Sequence, residues 1–303
     1  MFTPAKRIVK NYFKAQGYQI SRSTAVERRY MRRPWPDLIS RDPSNFATIY
    51  SKNRALLSSM PQWISEETLR TSLWDYGVPP VCFASQNNLE LNALDDVNMD
   101  LTAADLLAFV GSYLSDLRYL EIGVSVGKNF LQICKQFPNA ISVGLDVEEI
   151  NPVLQSQFPS PALEWQSDTP YSVNTFSGER REKRASLTRL SKTASYLSAD
   201  LLRDDTWAML EGHTFNLIFS DAMHSPDAVR AELQFLLRHE LIDKVRFAMF
   251  WDDLWGEMQT AFMANAKELC KMFNRGDDAI RLFKLHGSYG YERPMGLFCS
   301  WLP

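Results

Sequence analysis

No apolar run in this 303-residue sequence approaches the roughly 20 residues that a helix needs to cross a bilayer, so no transmembrane helix is expected. Cysteine is scarce as well. Cys82, Cys134, Cys270 and Cys299 lie apart in apolar surroundings, without the close pairs that metal sites or redox motifs use. They read as buried thiols in a reducing, cytoplasmic compartment. No internal repeat is visible. Acidic residues are nearly missing from residues 1–33, where nine Lys/Arg face Glu27 alone. That segment carries +8, leaving −11 for the rest of a chain whose total is −3. Thr3-Pro4 supplies an N-cap and first helical position, Ile8, Val9, Tyr12 and Phe13 make one apolar stripe, and Gly17 offers a stop. The segment reads as a short basic amphipathic helix that packs on the main folded domain or meets an anionic partner, a carrier protein or a membrane surface. It lacks the Ser enrichment and cleavage signal of a mitochondrial presequence.

What the chain does have begins at Tyr119-Leu120-Glu121-Ile122-Gly123-Val124-Ser125-Val126-Gly127-Lys128-Asn129. An apolar run ends in an acid and two glycines, and a helical pattern follows. Nineteen residues after Gly127, Asp146 closes the run Ile141-Ser142-Val143-Gly144-Leu145. Strand, tight turn, helix and a second strand ending in an acid form the nucleotide-binding half of a doubly wound domain, and the acid is placed to accept hydrogen bonds from a ribose diol. The spacing is G-x-x-x-G rather than the G-x-G-x-x-G of a dinucleotide site.

Organisation divides near residue 105. Residues 1–104 are punctuated by prolines and short helical patterns such as Glu66–Trp74, which predicts an irregular, mostly helical N-terminal cap. Residues 105–303 alternate strand-like segments at 118–122, 141–146, 194–199, 215–220 and 246–251 with helices that include 226–238 and 256–273. The fold class is α/β, with a doubly wound, mostly parallel sheet. Residues 279–285 and 295–302 read as two closing strands with a Gly-rich connection between them, the last running antiparallel. Residues 167–193, rich in Ser, Thr and mixed charge, break the rhythm and predict a mobile insertion over the site.

A second constellation lies downstream. The run at 215–220 delivers Asp221-Ala222-Met223-His224, with Ser225-Pro226 opening a helix, and the run at 246–251 delivers Asp252-Asp253. In a parallel sheet these residues arrive at the same carboxyl edge as Gly123 and Asp146. Three carboxylates brought that close repel unless neutralised, and a hard divalent cation, Mg²⁺ before Mn²⁺ or Ca²⁺, would neutralise them. The plainer alternative makes Asp252-Asp253 the N-cap of the following helix and His224 a local cap or packing residue.

The E-x-G-V-x-x-G run resembles motif I of class I S-adenosylmethionine-dependent methyltransferases, and D-x-x-H with D-D resembles the metal-dependent macrocin-type O-methyltransferases over roughly residues 110–260. The resemblance implies that Glu121, Gly123, Ser125 and Gly127 belong to the cofactor turn, Asp146 to the ribose and Asp200 to the adenine amino group. It makes Asp221, Asp252 and Asp253 the metal ligands and places His224, beside Asp221, at the general-base position. The activity implied is methyl transfer to a hydroxyl of a small natural-product, sugar or catechol-like acceptor, with homo-oligomerisation left open. Two alternatives stand: a metal-independent N- or C-directed methyltransferase using His224, and a noncatalytic interaction protein built on the same fold. A nicotinamide oxidoreductase is more distant. His213, His239 and His286 read as solvated or structural, and most tryptophans as packing, with Trp251 and Trp255 flanking the Asp252-Asp253 pair.

Overall fold

A computed structural model describes residue 39 and residues 41–59, 102–174, 180–286 and 292–301. The basic segment 1–33, the helical pattern Glu66–Trp74, Cys82 and the Gly-rich connection at 287–290 lie outside the described residues. In chain order the elements are α1 Pro43–Ser59, α2 Ala103–Gly111, β1 Arg118–Ile122, α3 Lys128–Gln136, β2 Ile141–Asp146 and α4 Pro152–Ser156. They continue with β3 Ala162–Asn174, β4 Arg180–Arg189, β5 Ala194–Ser198, α5 Asp204–Ala208, β6 Leu217–Ser220 and α6 Pro226–Arg238. The chain closes with β7 Ala248–Trp251, α7 Glu257–Met272, β8 Ile280–His286 and β9 Glu292–Cys299.

All nine strands of the described residues join one sheet in the order β3-β4-β5-β2-β1-β6-β7-β9-β8. β5, β2, β1, β6 and β7 run parallel. β9 pairs antiparallel with β7, and β8 antiparallel with β9, which gives the antiparallel closure expected from the sequence. The chain winds from β1 outward to β2 and β5, then returns to β6 beside β1 and winds the other way. The sheet therefore reverses between β1 and β6, and the crevice outside those two strand ends is where such sheets bind ligands.

Alternation in β1 shows why the sheet is covered on both faces. Tyr119 enters one buried layer with Phe109, Phe130 and Leu131, and Leu120 and Ile122 enter the other with Trp207, Leu233 and Phe262. The first layer includes α1, which lies in the segment read from sequence as a separate cap. Phe46, Ile49 and Tyr50 bury there, and Arg54 and Asn53 reach the fully buried Asp105 at the start of α2, Asn53 Nδ2 donating to Asp105 Oδ1 at 2.8 Å. Asp105 also accepts the Thr102 backbone N–H in a capping box, so one carboxylate ties helix start, cation and amide together.

The largest departure from the sequence reading is at 167–193. There the chain makes β3 and β4, an antiparallel pair that extends the sheet beyond β5, with register shifts between Leu163 and Trp165 and between Gln166 and Pro170. A charge-rich stretch such as Arg180–Arg189 has no apolar alternation, so it carries little strand signal. Pairing with β5, from Ser186↔Ser198 to Arg189↔Ser195, recruits it to the sheet.

Candidate functional site

After β1 the backbone passes through three left-handed residues, Gly123 (φ 86°), Ser125 (φ 53°) and Gly127 (φ 82°). At Gly123 only glycine fits, because a Cβ would stand 2.4 Å from the Asp221 carbonyl oxygen and 2.5 Å from the Ala222 Cα. The ends of β1 and β6 thus touch backbone to backbone at the sheet reversal. Gly127 is the N-cap residue of α3, at the helix end where the dipole favours negative charge.

Glu121 lies beneath this turn rather than in the open crevice. It is almost fully buried, takes the Tyr119 hydroxyl at 2.5 Å, and receives the Phe130 backbone N–H from the first turn of α3. Burial pushes its carboxyl up to about 8, against the lowering effect of those two hydrogen bonds. Its place joins β1 to α3. Asp146 is also buried. Its Oδ2 accepts the Ser125 N–H at 2.8 Å and its Oδ1 the Glu148 N–H at 2.9 Å. Burial raises this carboxyl to about 6, with the Ser125 and Val124 amides and the Lys183 ammonium pulling the other way. Each carboxylate oxygen can accept a second hydrogen bond, so Asp146 holds the turn and retains acceptor capacity for a diol. The Ser125 hydroxyl is buried and makes no hydrogen bond among the described residues.

At the end of β6, Asp221 and His224 face each other, His224 Nε2 lying 3.8 Å from Asp221 Oδ1, with about a quarter of each side chain exposed. That is ion-pair distance, too long for a direct hydrogen bond. Ser225 caps α6 by accepting the Ala228 N–H, so His224 is the last residue before the helix cap and is not itself the cap. Asp252 and Asp253 follow β7. The plainer expectation that they cap α7 fails, because α7 starts at Glu257 behind Gly256. Asp252 is buried and its Oδ1 accepts the Asp253 N–H at 2.8 Å, while Asp253 is left-handed (φ 50°) with a buried, unpartnered Oδ1. The expected cluster of three metal-ligating carboxylates is not assembled. Among the described residues no group of three His, Cys, Asp or Glu side chains is disposed to hold a metal ion.

Asp200 follows β5, where its Oδ1 accepts the Leu202 N–H at 3.0 Å and its carbonyl accepts the Thr206 hydroxyl at 2.7 Å. It borders a cavity of about 300 Å³ between the β3–β4 pair and α5, which Trp165, Tyr171 and Arg203 also line. His239 is structural, its ring contacting Glu211 at 2.8 Å and Asp204 at 3.2 Å. Trp251 packs edge-on against Phe262 in the core, and Cys134, Cys270 and Cys299 are buried free thiols, as expected.

No family model and no curated protein matches the chain. Solved structures that resemble it include three methyltransferases. The O-methyltransferase TomG of Streptomyces achromogenes, solved with S-adenosylmethionine and involved in tomaymycin synthesis, is 12% identical; the match covers 98% of this chain and 99% of that one at a TM-score of 0.45. An O-methyltransferase from Bacillus cereus, solved with S-adenosylhomocysteine, is 13% identical over 71% of this chain and 90% of its own, with a TM-score of 0.43. The S-adenosylhomocysteine-bound methyltransferase PaMTH1 of Podospora anserina is 14% identical over 77% and 92%, with a TM-score of 0.40. Likeness at this level assigns no activity and no residue here. The strand order and the turn geometry define the fold by themselves.

Three residues near the site escaped sequence reasoning. Lys183 and Tyr171 come from the β3–β4 pair, and their alternation was hidden by charge. Glu232 lies on α6 with its carboxyl turned to the Ser220 hydroxyl, just before Asp221. Its position among Val229, Leu233 and Leu236 on the apolar face of α6 was a readable signal for a buried acid.

Proposed function

We propose that this protein is an S-adenosylmethionine-dependent O-methyltransferase acting on a small-molecule hydroxyl. The observation that carries the reading is the meeting, at one sheet reversal, of the left-handed Gly123–Gly127 turn, the β2-terminal Asp146 and the Asp221/His224 pair. The co-substrate supplies an electrophilic methyl group on a sulfonium. Asp146 and the turn bind its ribose end, and Asp200 stands near its adenine. His224, as neutral imidazole, takes the proton of the acceptor hydroxyl as that oxygen attacks the methyl carbon; the S–CH₃ bond breaks and S-adenosylhomocysteine leaves. Asp221, 3.8 Å away, faces the imidazolium that forms and stabilises it by charge.

The described carboxylates do not fit a three-ligand cation site, so no step is routed through a metal. The buried, unpartnered Asp253 oxygen is the one observation that favours divalent-cation assistance as a second reading. Calorimetry with S-adenosylmethionine, S-adenosylhomocysteine and NAD⁺, with and without Mg²⁺, tests both. The reading requires binding of the first two and not of NAD⁺, and a loss of roughly 1.5–3 kcal/mol in Asp146→Ala from removing a charged hydrogen-bond acceptor. His224→Ala should lower kcat about 10²–10⁴-fold with cofactor affinity retained. A folded parent protein that binds neither sulfur ligand overturns the reading.

A further inference from the structure

The β3–β4 pair takes no part in the proposed methyl transfer, yet it reaches the cofactor end of the crevice. Tyr171 and Lys183 are cross-strand partners, so their side chains leave the same face of the pair. Lys183 forms an ion pair with Glu148, two residues beyond Asp146, and both side chains are mostly buried. The Lys183 ammonium also acts on Asp146 itself. Tyr171 is buried between the ends of β2 and β5. Burial, reinforced by the nearby Asp200 and Asp146 carboxylates, pushes its hydroxyl up to about 12. The two hairpin residues therefore stand over the two acids that the cofactor reading assigns to ribose and adenine.

We propose that the β3–β4 pair is the outer wall of the adenosine end of the cofactor site, with Lys183 holding Asp146 in its accepting form and Tyr171 setting which purine substituents fit. This rests on the cofactor reading above. Lys183 is a positioning residue, because it acts through Asp146 and Glu148, and Tyr171 is a specificity residue. The charged and titratable groups facing Asp146 are Glu121 from β1, Lys183 from β4, Tyr171 from β3 and Glu148 from its own loop. Burial pushes Glu121 up to about 8 and Tyr171 up to about 12, both above Asp146 at about 6, so the range from pH 5 to 7 is where protonation of Asp146 is read.

The test is calorimetric titration of the full chain with S-adenosylhomocysteine and its N6-benzyl analogue from pH 5 to 8. The parent should lose affinity as pH falls through about 6. In Lys183→Met that midpoint should rise by about one unit, the lower end of the effect of an opposite charge, so that binding weakens about fivefold at pH 6 and little at pH 8. Lys183→Arg should follow the parent, and Lys183→Gln replaces the Met variant if that one does not fold. Tyr171→Ala should narrow the preference for the unsubstituted ligand by on the order of tenfold, as expected when one wall of a pocket is removed. A parent that binds neither ligand rejects the cofactor reading and the wall with it. A parent that binds, together with a Lys183→Met loss uniform across pH or a Tyr171→Ala loss equal for both ligands, rejects the wall and leaves the cofactor reading in place.

Discussion

Replacing Gly123 by Ala should separate the role of the sheet reversal from ordinary loop tolerance. Two costs add at this position. A non-glycine residue at φ 86° costs about 1–2 kcal/mol through its Cβ. The new methyl also has to displace the Asp221 carbonyl at 2.4 Å and the Ala222 Cα at 2.5 Å, both main-chain atoms, and overpacking of this kind costs about 1–3 kcal/mol. Together the loss is about 2–5 kcal/mol. The displacement falls on backbone held by the Asp221 N–H to Ile122 carbonyl bond and the Gly123 N–H to Leu145 carbonyl bond, each 2.7 Å. Asp221 must therefore move, and the His224 pair with it. Gly127→Ala is the internal control. It has nearly the same φ, 82°, but the first atoms its Cβ would meet are side-chain atoms of Leu154, not backbone: Cδ2 at 2.5 Å and Cδ1 at 2.8 Å can give by rotation, and Cβ at 2.9 Å by a small shift of the short helix α4. Its loss should sit near the about 1–2 kcal/mol of the backbone term. Urea unfolding followed by tryptophan fluorescence measures both, and calorimetry with S-adenosylhomocysteine reads the site. A Gly123→Ala loss below that of Gly127→Ala, or below about 1 kcal/mol, would refute the close approach of β1 and β6.

Ser125→Gly removes a left-handed side chain and an unpartnered buried hydroxyl, so the ligand-free protein should be unchanged or up to about 1 kcal/mol more stable, while a hydroxyl that serves the cofactor shows itself as weakened S-adenosylhomocysteine binding; a stability loss above that size in thermal melts counts against the geometry. Asp105→Ala strips the buried partner of Arg54 together with the α2 cap, and chemical denaturation should report a loss of about 3–5 kcal/mol, whereas a loss within 1 kcal/mol would mean that α1 is not fastened there. Glu232 is raised by burial from 4.5 to about 7, so the native state holds a proton that the unfolded chain releases above 4.5; the group costs nothing below 4.5, and its stability cost grows as pH rises to about 7. Glu232→Gln should therefore gain on the parent between pH 5 and 8, by at most about 1.4 kcal/mol per unit within that window, and parallel pH–stability curves would refute it.

Much of the site was legible because its signals are local. A strand that ends in Glu121-Ile122-Gly123, a helix that starts after Gly127 and an acid that closes the next strand are dictated by backbone sterics and hydrophobic period within some thirty residues, and the structure reproduces β1 and β2 at the expected bounds, with α3 starting directly after Gly127. The same applies to α6, whose Ser225-Pro226 start and apolar stripe fix its ends. The strands at 215–220 and 246–251 are shorter than expected, at Leu217–Ser220 and Ala248–Trp251, but they still deliver Asp221 and Asp252 to the predicted edge. What the sequence could not decide depends on which groups meet. Three carboxylates and an imidazole at one sheet edge suggested a shared cation; the tertiary structure turns Asp252 onto its neighbour's amide and sets Asp221 facing His224, because side-chain direction at a strand end is set by the turn that follows. Glu121 became a buried staple because α3 starts above it. The charged stretch 180–189 became sheet because β5 offered it an edge, and that pairing alone brings Lys183 and Tyr171, far from the glycine turn in sequence, to Asp146. Period and turn chemistry act over one or two turns of chain, whereas charge compensation and edge pairing act across the fold, so the sequence determined the strand, glycine turn, helix and second strand from β1 to β2, and only the tertiary structure decided what surrounds them.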